Sequence, residues 1–387
     1  MSKPDKVLMK IQEVAERRRI VGMACAFLIR GRVVWKGNVG QADIERKLPV
    51  TDKTIFRIAS IAKTVTAVAL LQLVEQGRCS LDDDVGRLLG LPLRHPLHRE
   101  ESIRLRHLMT HTSGLRDEYK GFAAASRQEP MLPLSELLMP GGGWQPTKLW
   151  GDKPPGDPAG YEYSNLGAIV MATIVERLSG ERFDRYCRKH LLLPLGMTDS
   201  SFNLDDIDDP NRLAVLYERD SATGQYIAAA DAGRGVRPDQ PDLREYVPGV
   251  NGSLFEPQGG LRTTITDLSR WLELLAGRGE RNGVRLLQAR TVQDMLSQHW
   301  TREPQEGFYR ESGLQLQRTR DLFPGRLMVG QAGDAYGLRS GMYFEPDTGM
   351  GLVYAMNGLD DAKDGHVFTA AETELAAAMT EIFLKKK

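Results

Sequence analysis

The sequence predicts an α+β fold, an antiparallel sheet flanked by helices with a helix-rich domain inserted, and three observations carry that prediction. An alternating apolar hairpin stands near the amino end, strand-like runs cluster near the carboxyl end, and helical patterns joined by long loops fill the middle. Gly22 to Ile29 and Val33 to Gly40 flank Arg30-Gly31-Arg32, which reads as a hairpin. Gly307 to Leu316, Arg326 to Gln331, Leu338 to Phe344 and Gly351 to Met356 repeat the strand pattern, and a helix from Phe368 to Lys385 closes the chain. Strands at both ends must pair into one sheet. Residues 1–90 and 301–387 are therefore expected to form a discontinuous α/β domain and residues 91–300 the inserted helical one, with the active site at their interface.

The first element is an amphipathic helix carrying Val7, Leu8, Ile11, Val14 and Ala15 on one face. Residues 64–76, Thr-Val-Thr-Ala-Val-Ala-Leu-Leu-Gln-Leu-Val-Glu-Gln, are apolar on nearly all sides and stop at Gly77, which marks a buried central helix. Ser60-Ile61-Ala62-Lys63 opens that run. Three residues is close to one helical turn, so the spacing puts a hydroxyl and an amine on one face. Serine alone is a poor nucleophile at neutral pH, and a lysine one turn away, at the mouth of a buried helix, is placed to take its proton. The same four residues also suit an ordinary helix start, with Ser60 as N-cap and Lys63 solvated.

Further along, Tyr163-Ser164-Asn165 follows Pro154-Pro155-Gly156 and precedes a helical pattern from Leu166 to Leu178. A tyrosine beside a cationic lysine loses its proton more easily and then acts as general base toward serine. Asn165 offers an amide donor to Lys63 and to the region of a substrate carbonyl. The competing reading is a helix cap at Ser164 or Asn165 with Tyr163 as a packing aromatic.

Together the two motifs resemble those of the serine beta-lactamase and penicillin-binding-protein superfamily, most closely its class C branch with the related esterases and D-aminopeptidases. Two more stretches fit that pattern. Ile103-Arg104-Leu105-Arg106-His107-Leu108-Met109-Thr110-His111-Thr112-Ser113-Gly114-Leu115 is similar to the family segment I-x-x-x-H-L-L-x-H-T-S-G-L, and Gly259-Gly260-Leu261-Arg262-Thr263-Thr264 to its G-G-L-x-S-T turn before a helix. The resemblance runs from about Ile20 to the last helix. It implies a beta-lactamase-type α/β sandwich and a serine hydrolase that forms an acyl-enzyme on Ser60. Lys63 and Tyr163 would share the proton work, with Asn165 holding Lys63 and the substrate.

One stretch departs from the family. Where its third motif, Lys-Thr-Gly or His-x-Gly, lines the site on a strand, this chain has Gln331-Ala332-Gly333. Gln331 keeps a hydrogen-bond donor and loses a positive charge. Tyr163 is then expected to depend mainly on Lys63, with acylation rising toward alkaline pH. Recognition of a substrate carboxylate is expected to be weak unless Arg339 supplies the charge. Carboxylic esters and short amides, D-amino-acid derivatives included, therefore rank above beta-lactams. A beta-lactamase or D-Ala-D-Ala carboxypeptidase is the alternative within the mechanism, and a non-catalytic penicillin-binding-like protein the alternative outside it. By the resemblance, the oxyanion hole would be the backbone N–H groups of Ser60 and Asp334. The Asp334 side chain either points to solvent or binds a substrate ammonium.

With 41% hydrophobic and 26% charged residues, the 387-residue chain suffices for a large core in one or two domains. Fifty-one basic against 51 acidic residues give no net field to draw nucleic acid, and neither a basic helix nor an 18-residue apolar span points to a membrane. A small-molecule ester, amide or lactam substrate is expected, with no cofactor. The amino end shows no secretory pattern, so cytoplasmic residence is the expectation, or periplasmic or secreted residence if a leader was removed. Cys25, Cys79 and Cys187 read as buried thiols. His107 and His111 lie four apart without an H-E-x-x-H pattern, so they read as structural and no metal is expected. The loop-rich stretch from Pro140 to Gly160 carries Trp144 and Trp150, which either line an apolar acyl pocket or anchor the loop. Asp205 to Gly249 reads as a second long loop without periodicity.

Overall fold

Strand β1 (Gly22–Ile29) decides the layering, because successive side chains of a strand leave on opposite faces and here both faces are buried. Met23, Cys25 and Phe27 join a core with Val7, Ile11 and Val14 of the helix Lys3–Arg17 and with Leu375 and Met379 of the helix Ala370–Phe383. Ala24, Ala26 and Leu28 join the larger core on the other face, which holds Trp271 and Leu272 of the helix Ile265–Ala276 and the buried apolar residues of the helix Ala62–Glu75. The result is helix, sheet, helix. The computed structural model describes residues 3–117, 132–139, 149–237, 243–302, 307–359 and 367–384.

The strands that follow are β2 (Arg32–Asp43), β3 (Leu48–Pro49), β4 (Phe56–Arg57), β5 (Leu216–Arg219), β6 (Tyr226–Ala230) and β7 (Arg262–Thr263). Then come β8 (Glu280–Arg281), β9 (Val284–Arg285), β10 (Trp300–Thr301), β11 (Glu311–Ser312), β12 (Gln317–Thr319), β13 (Met328–Ala335), β14 (Leu338–Phe344) and β15 (Gly351–Asn357). Nine of them form one sheet in the order β10-β11-β12-β13-β14-β15-β1-β2-β3, and each named pair within it is antiparallel. The two chain ends meet where β1 pairs with β15, with Cys25 opposite Tyr354. This is the large antiparallel sheet flanked by helices that the alternation predicted.

Three details differ from the sequence reading. The expected strand from Gly307 to Leu316 is broken: only Glu311–Ser312 pairs before Gln315, at φ +56°, turns the chain into β12. The stretch from Asp205 to Gly249 contains the hairpin β5–β6, whose outer residues are partly exposed, so its apolar period is weak. The helix Ile265–Ala276 lies within the segment expected to be an inserted domain, yet it packs on β1, β14 and β15, and β4 pairs with β7. One core spans both parts, so the boundary expected at residue 300 does not separate two cores.

The central helix Ala62–Glu75 packs against the helix Asn165–Ser179, and their first turns carry Lys63 and Asn165, with Ser60 and Tyr163 just ahead of them. Lys63, Thr64 and Thr66 are buried on the central helix. Thr66 Oγ1 donates to the Pro257 carbonyl at 2.9 Å, and Trp271 Nε1 donates to Thr64 Oγ1 at 3.0 Å. Polar side chains so deep need partners, and these partners tie the helix to the 257–258 loop and to the sheet-packed helix. No helix among the described residues is long and apolar enough to cross a membrane.

Candidate active site

Ser60 does not open the α-helix. It lies in a 3-10 turn, Ala59–Ile61, and the α-helix begins at Ala62. Ala59 holds φ +47°, a left-handed conformation that costs a residue with a Cβ about 1 kcal/mol, so the surrounding structure has to enforce it. Strand β13 does so. A Cβ on Gly333 would lie 2.2 Å from Ser340 Oγ, 2.3 Å from the Ile58 carbonyl oxygen and 3.1 Å from Ala59 Cβ, so only glycine lets the strand approach the turn this closely. Ser340 Oγ donates to the Ile58 carbonyl at 2.9 Å and pins the turn from the next strand.

Lys63 is fully buried, and its Nζ has three acceptors: Ser60 Oγ at 3.1 Å, Asn165 Oδ1 at 2.7 Å and the Gln258 carbonyl at 2.8 Å. An ammonium has three N–H donors and no lone pair, and this cage matches that inventory. Asn165 therefore meets Lys63 with its oxygen, not with the amide donor expected from the sequence. Its orientation is fixed from behind, because Asn165 Nδ2 donates to Asp117 Oδ2 at 2.7 Å. The Asp117 carboxylate also accepts the backbone N–H of Asn165 at 2.8 Å and of Leu166 at 3.0 Å, at the start of the helix Asn165–Ser179. Ser164 is the N-cap of that helix, accepting from the Gly167 N–H at 3.0 Å. A carboxylate suits this place, where free N–H groups and the positive dipole end meet.

Tyr163 is sandwiched. Its ring lies 4.5 Å from that of His111 and 5.0 Å from that of Tyr309, the latter stacked at 19°, and Lys63 Nζ stands 4.8 Å from its centroid. Four tyrosines gather here, but they are not equivalent. Burial pushes the hydroxyls of Tyr161, Tyr309 and Tyr343 well above the ordinary tyrosine range, and neighbouring anionic or phenolic groups push them further. Those three remain neutral. Only Tyr163 among them has the Lys63 cation against its ring.

His111 is a packing and hydrogen-bonding residue. Its Nδ1 accepts the Ser164 backbone N–H at 3.2 Å, and its own φ is +57°. Burial first, and the Lys63 charge second, push it down to about 3. His107 Nδ1 accepts the Arg104 N–H at 3.2 Å, and burial pushes this imidazole down to about 4. Among the described residues no three His, Cys, Asp or Glu side chains form a metal-sized group.

Gln331 is buried in β13, and its Oε1 accepts the Tyr309 hydroxyl at 2.7 Å. Arg339 stands opposite Asp334 across β13 and β14, and the two form an ion pair. The exposed Asp334 carboxylate thus has a cation of its own, and the Arg339 charge is spent on it. Trp150 is buried in the larger core, edge-on to His95 at 5.1 Å, so its ring is committed to packing. Trp144 lies outside the described residues. Sequence reasoning missed Asp117, Gln258 and Tyr309. Asp117 sits two residues past Leu115 of a quoted segment, Gln258 acts through a carbonyl that leaves no side-chain signal, and Tyr309 is a lone aromatic in an irregular stretch.

The Beta-lactamase family model matches residues 9–377. The chain belongs to the Beta-lactamase family. Among curated members, Protein Rv1367c of Mycobacterium tuberculosis (strain ATCC 25618 / H37Rv) is 27% identical over 357 residues, which cover 84% of this chain and 81% of that protein. Esterase EstB of Burkholderia gladioli is 29% identical over 229 residues, 53% of this chain and 52% of its own. Among solved structures, D-amino acid amidase from Ochrobactrum anthropi SV3, complexed with L-phenylalanine amide, superposes with a TM-score of 0.70. At 21% identity, over 98% of this chain and 99% of that one, the amidase likeness speaks for the fold alone. The fold is thus shared with a penicillin-binding protein homologue from Pyrococcus abyssi, this amidase and a class C beta-lactamase.

Proposed function

We propose that this chain is a serine hydrolase that cleaves carboxylic esters and short amides lacking a free carboxylate, D-amino-acid derivatives among them, through an acyl-enzyme on Ser60. The observation that carries the reading is the cage around Lys63, which puts a buried ammonium 3.1 Å from Ser60 Oγ and against the Tyr163 ring. Lys63 Nζ directs its bonds to Ser60 Oγ, Asn165 Oδ1 and the Gln258 carbonyl, so in this reading Tyr163 serves as the base and Lys63 holds the nucleophile beside it. Ser60 Oγ bonds to the carbonyl carbon while its proton passes to Tyr163. The tetrahedral oxyanion rests on the backbone N–H groups of Ser60 and Asp334, each such donor being worth about 3 kcal/mol. The bond to the leaving group then breaks as Tyr163 returns the proton to it. Water cleaves the acyl-enzyme by the same steps in reverse order.

The substrate class rests on charge. Gln331 has no charge and bonds to Tyr309, and Arg339 is paired with Asp334, so β13 and β14 present no uncommitted cation to a substrate carboxylate. Penicillins and peptide C-termini carry that carboxylate; simple esters and amides do not. The name of Esterase EstB supports the ester part of that ranking. The test is kcat/KM for p-nitrophenyl butyrate and D-alanine amide against benzylpenicillin and a succinate half-ester of p-nitrophenol. A missing charge-assisted hydrogen bond is worth about tenfold or more, so the compounds without a carboxylate should lead those that carry one by at least that factor. Faster turnover of benzylpenicillin would overturn the substrate ranking, and no turnover of any compound would favour a ligand-binding protein.

A further inference from the structure

Gln331 stands where the family has a lysine or histidine, and its side chain is engaged elsewhere. Its Oε1 accepts the Tyr309 hydroxyl at 2.7 Å and the Ala332 N–H at 3.1 Å, while its Nε2 reaches the Gln315 carbonyl at 3.4 Å. Tyr309 in turn lies flat on Tyr163, with 5.0 Å between centroids and 19° between planes. The ring is locked from several sides. Phe308 meets it edge-on at 4.9 Å, Tyr161 lies 6.0 Å away, and the Phe308 carbonyl accepts Gln317 Nε2 at 2.6 Å. The segment is therefore tied to β12 and β13 on both sides of the tyrosine.

We propose that Tyr309 is the positioning residue for Tyr163, and that Gln331 acts on the reaction through it. This rests on the reading of Tyr163 as the base. A phenol hydroxyl has one proton, and Tyr309 gives that proton to Gln331 while its ring stacks on Tyr163. A lysine or histidine at position 331 would bring a charge or a titrating proton to this wall. Glutamine brings a fixed acceptor instead. Tyr163 thereby packs against both the His111 and Tyr309 rings, with Lys63 at 4.8 Å as its cation. Offset stacks of this kind hold a ring in place as well as burying it. General-base catalysis is sensitive to such placement, because proton transfer needs donor and acceptor within hydrogen-bond reach.

The variants separate the parts of the device. Tyr309→Phe keeps the stack and removes the bond, Gln331→Leu removes the same bond from the other end, and Tyr309→Leu removes the stack. With p-nitrophenyl butyrate, the first two should each lower kcat/KM about fivefold, the worth of one neutral hydrogen bond. The double variant should lose no more than either single one. Tyr309→Leu should lose about a hundredfold, mostly in kcat and with little change in KM, and should displace the acid limb of the pH–rate profile. A purely structural residue would leave the profile in place. Thermal melting checks that each variant folds, and Tyr309→Phe remains informative if Tyr309→Leu does not. Tyr163→Phe is the control. If it keeps full activity, the assignment of the base fails. If it is inactive while the three variants at 309 and 331 stay within twofold of wild type with unmoved profiles, the positioning role fails alone.

Discussion

Lys63 gathers groups that lie far apart in the chain: Ser60, Asn165 and the Gln258 carbonyl. The S-x-x-K and Y-S-N spacings made Ser60, Lys63, Tyr163 and Asn165 visible in the sequence because each pairs a chemical type with a helix start. What stayed hidden was the sense of each bond. Asn165 reads equally well as donor or acceptor until Asp117 takes its amide nitrogen. Asp334 and Arg339 were each considered for a substrate charge, but their cross-strand register pairs them with each other. His111 carries a consequence for stability. It is neutral in the fold, pushed from 6.5 to about 3, so the unfolded chain binds a proton that the native state refuses. Its contribution is complete above about pH 6.5 and is lost as pH falls toward 3, on the order of a few kcal/mol over that range. His107, at about 4, acts in the same direction. Urea midpoints should therefore drop between pH 7.5 and pH 5, and His111→Asn, which tolerates the left-handed backbone, should flatten that dependence. An equal drop in His111→Asn would assign the acid sensitivity elsewhere.

The turn that carries Ser60 is shaped by elements packed around it more than by its own sequence. Ser60 was expected at a helix start, but the left-handed Ala59 turns the chain through one 3-10 turn before the helix begins. That conformation survives because β13 runs past it at Gly333, with Ser340 of β14 holding the Ile58 carbonyl. Gly333→Ala would force the strand or the turn to move. An overpacked site of this kind costs about 1–3 kcal/mol, and a shift of about 1 Å at the nucleophile costs about a hundredfold in rate. The variant should fold with a lowered melting temperature and lose at least that much of its esterase kcat. Activity within threefold of wild type would show that Ser60 does not depend on this contact. The motif Gln331-Ala332-Gly333 was readable as a strand, whereas its partner Tyr309 was not. No local pattern announces a side chain whose role is set by tertiary contact alone.

The layered architecture was legible because both ends of the chain alternate with period two and the segment between them does not. Less legible was the division into parts. The helix Ile265–Ala276 has an apolar face like any amphipathic helix, and nothing in that face tells which sheet or helix it will cover. It covers β1, β14 and β15 and binds the middle of the chain to the sheet. The two motif-bearing helices, Ala62–Glu75 and Asn165–Ser179, pack on each other within this single core. The proposed nucleophile Ser60, cation Lys63 and base Tyr163 are thus held by packed elements while the strands β13 and β14 close the site from the side. Such rigidity is what acyl transfer by placement requires.

The claim that all of this serves chemistry at Ser60 is tested most directly by intact-mass measurement after rapid mixing with p-nitrophenyl butyrate, for wild type and for Ser60→Ala. The expected result is a transient butyryl adduct on wild type, coincident with a burst of p-nitrophenol, with neither adduct nor burst in Ser60→Ala. Turnover that survives in Ser60→Ala, or an adduct that maps to another residue, would contradict the acyl-enzyme account.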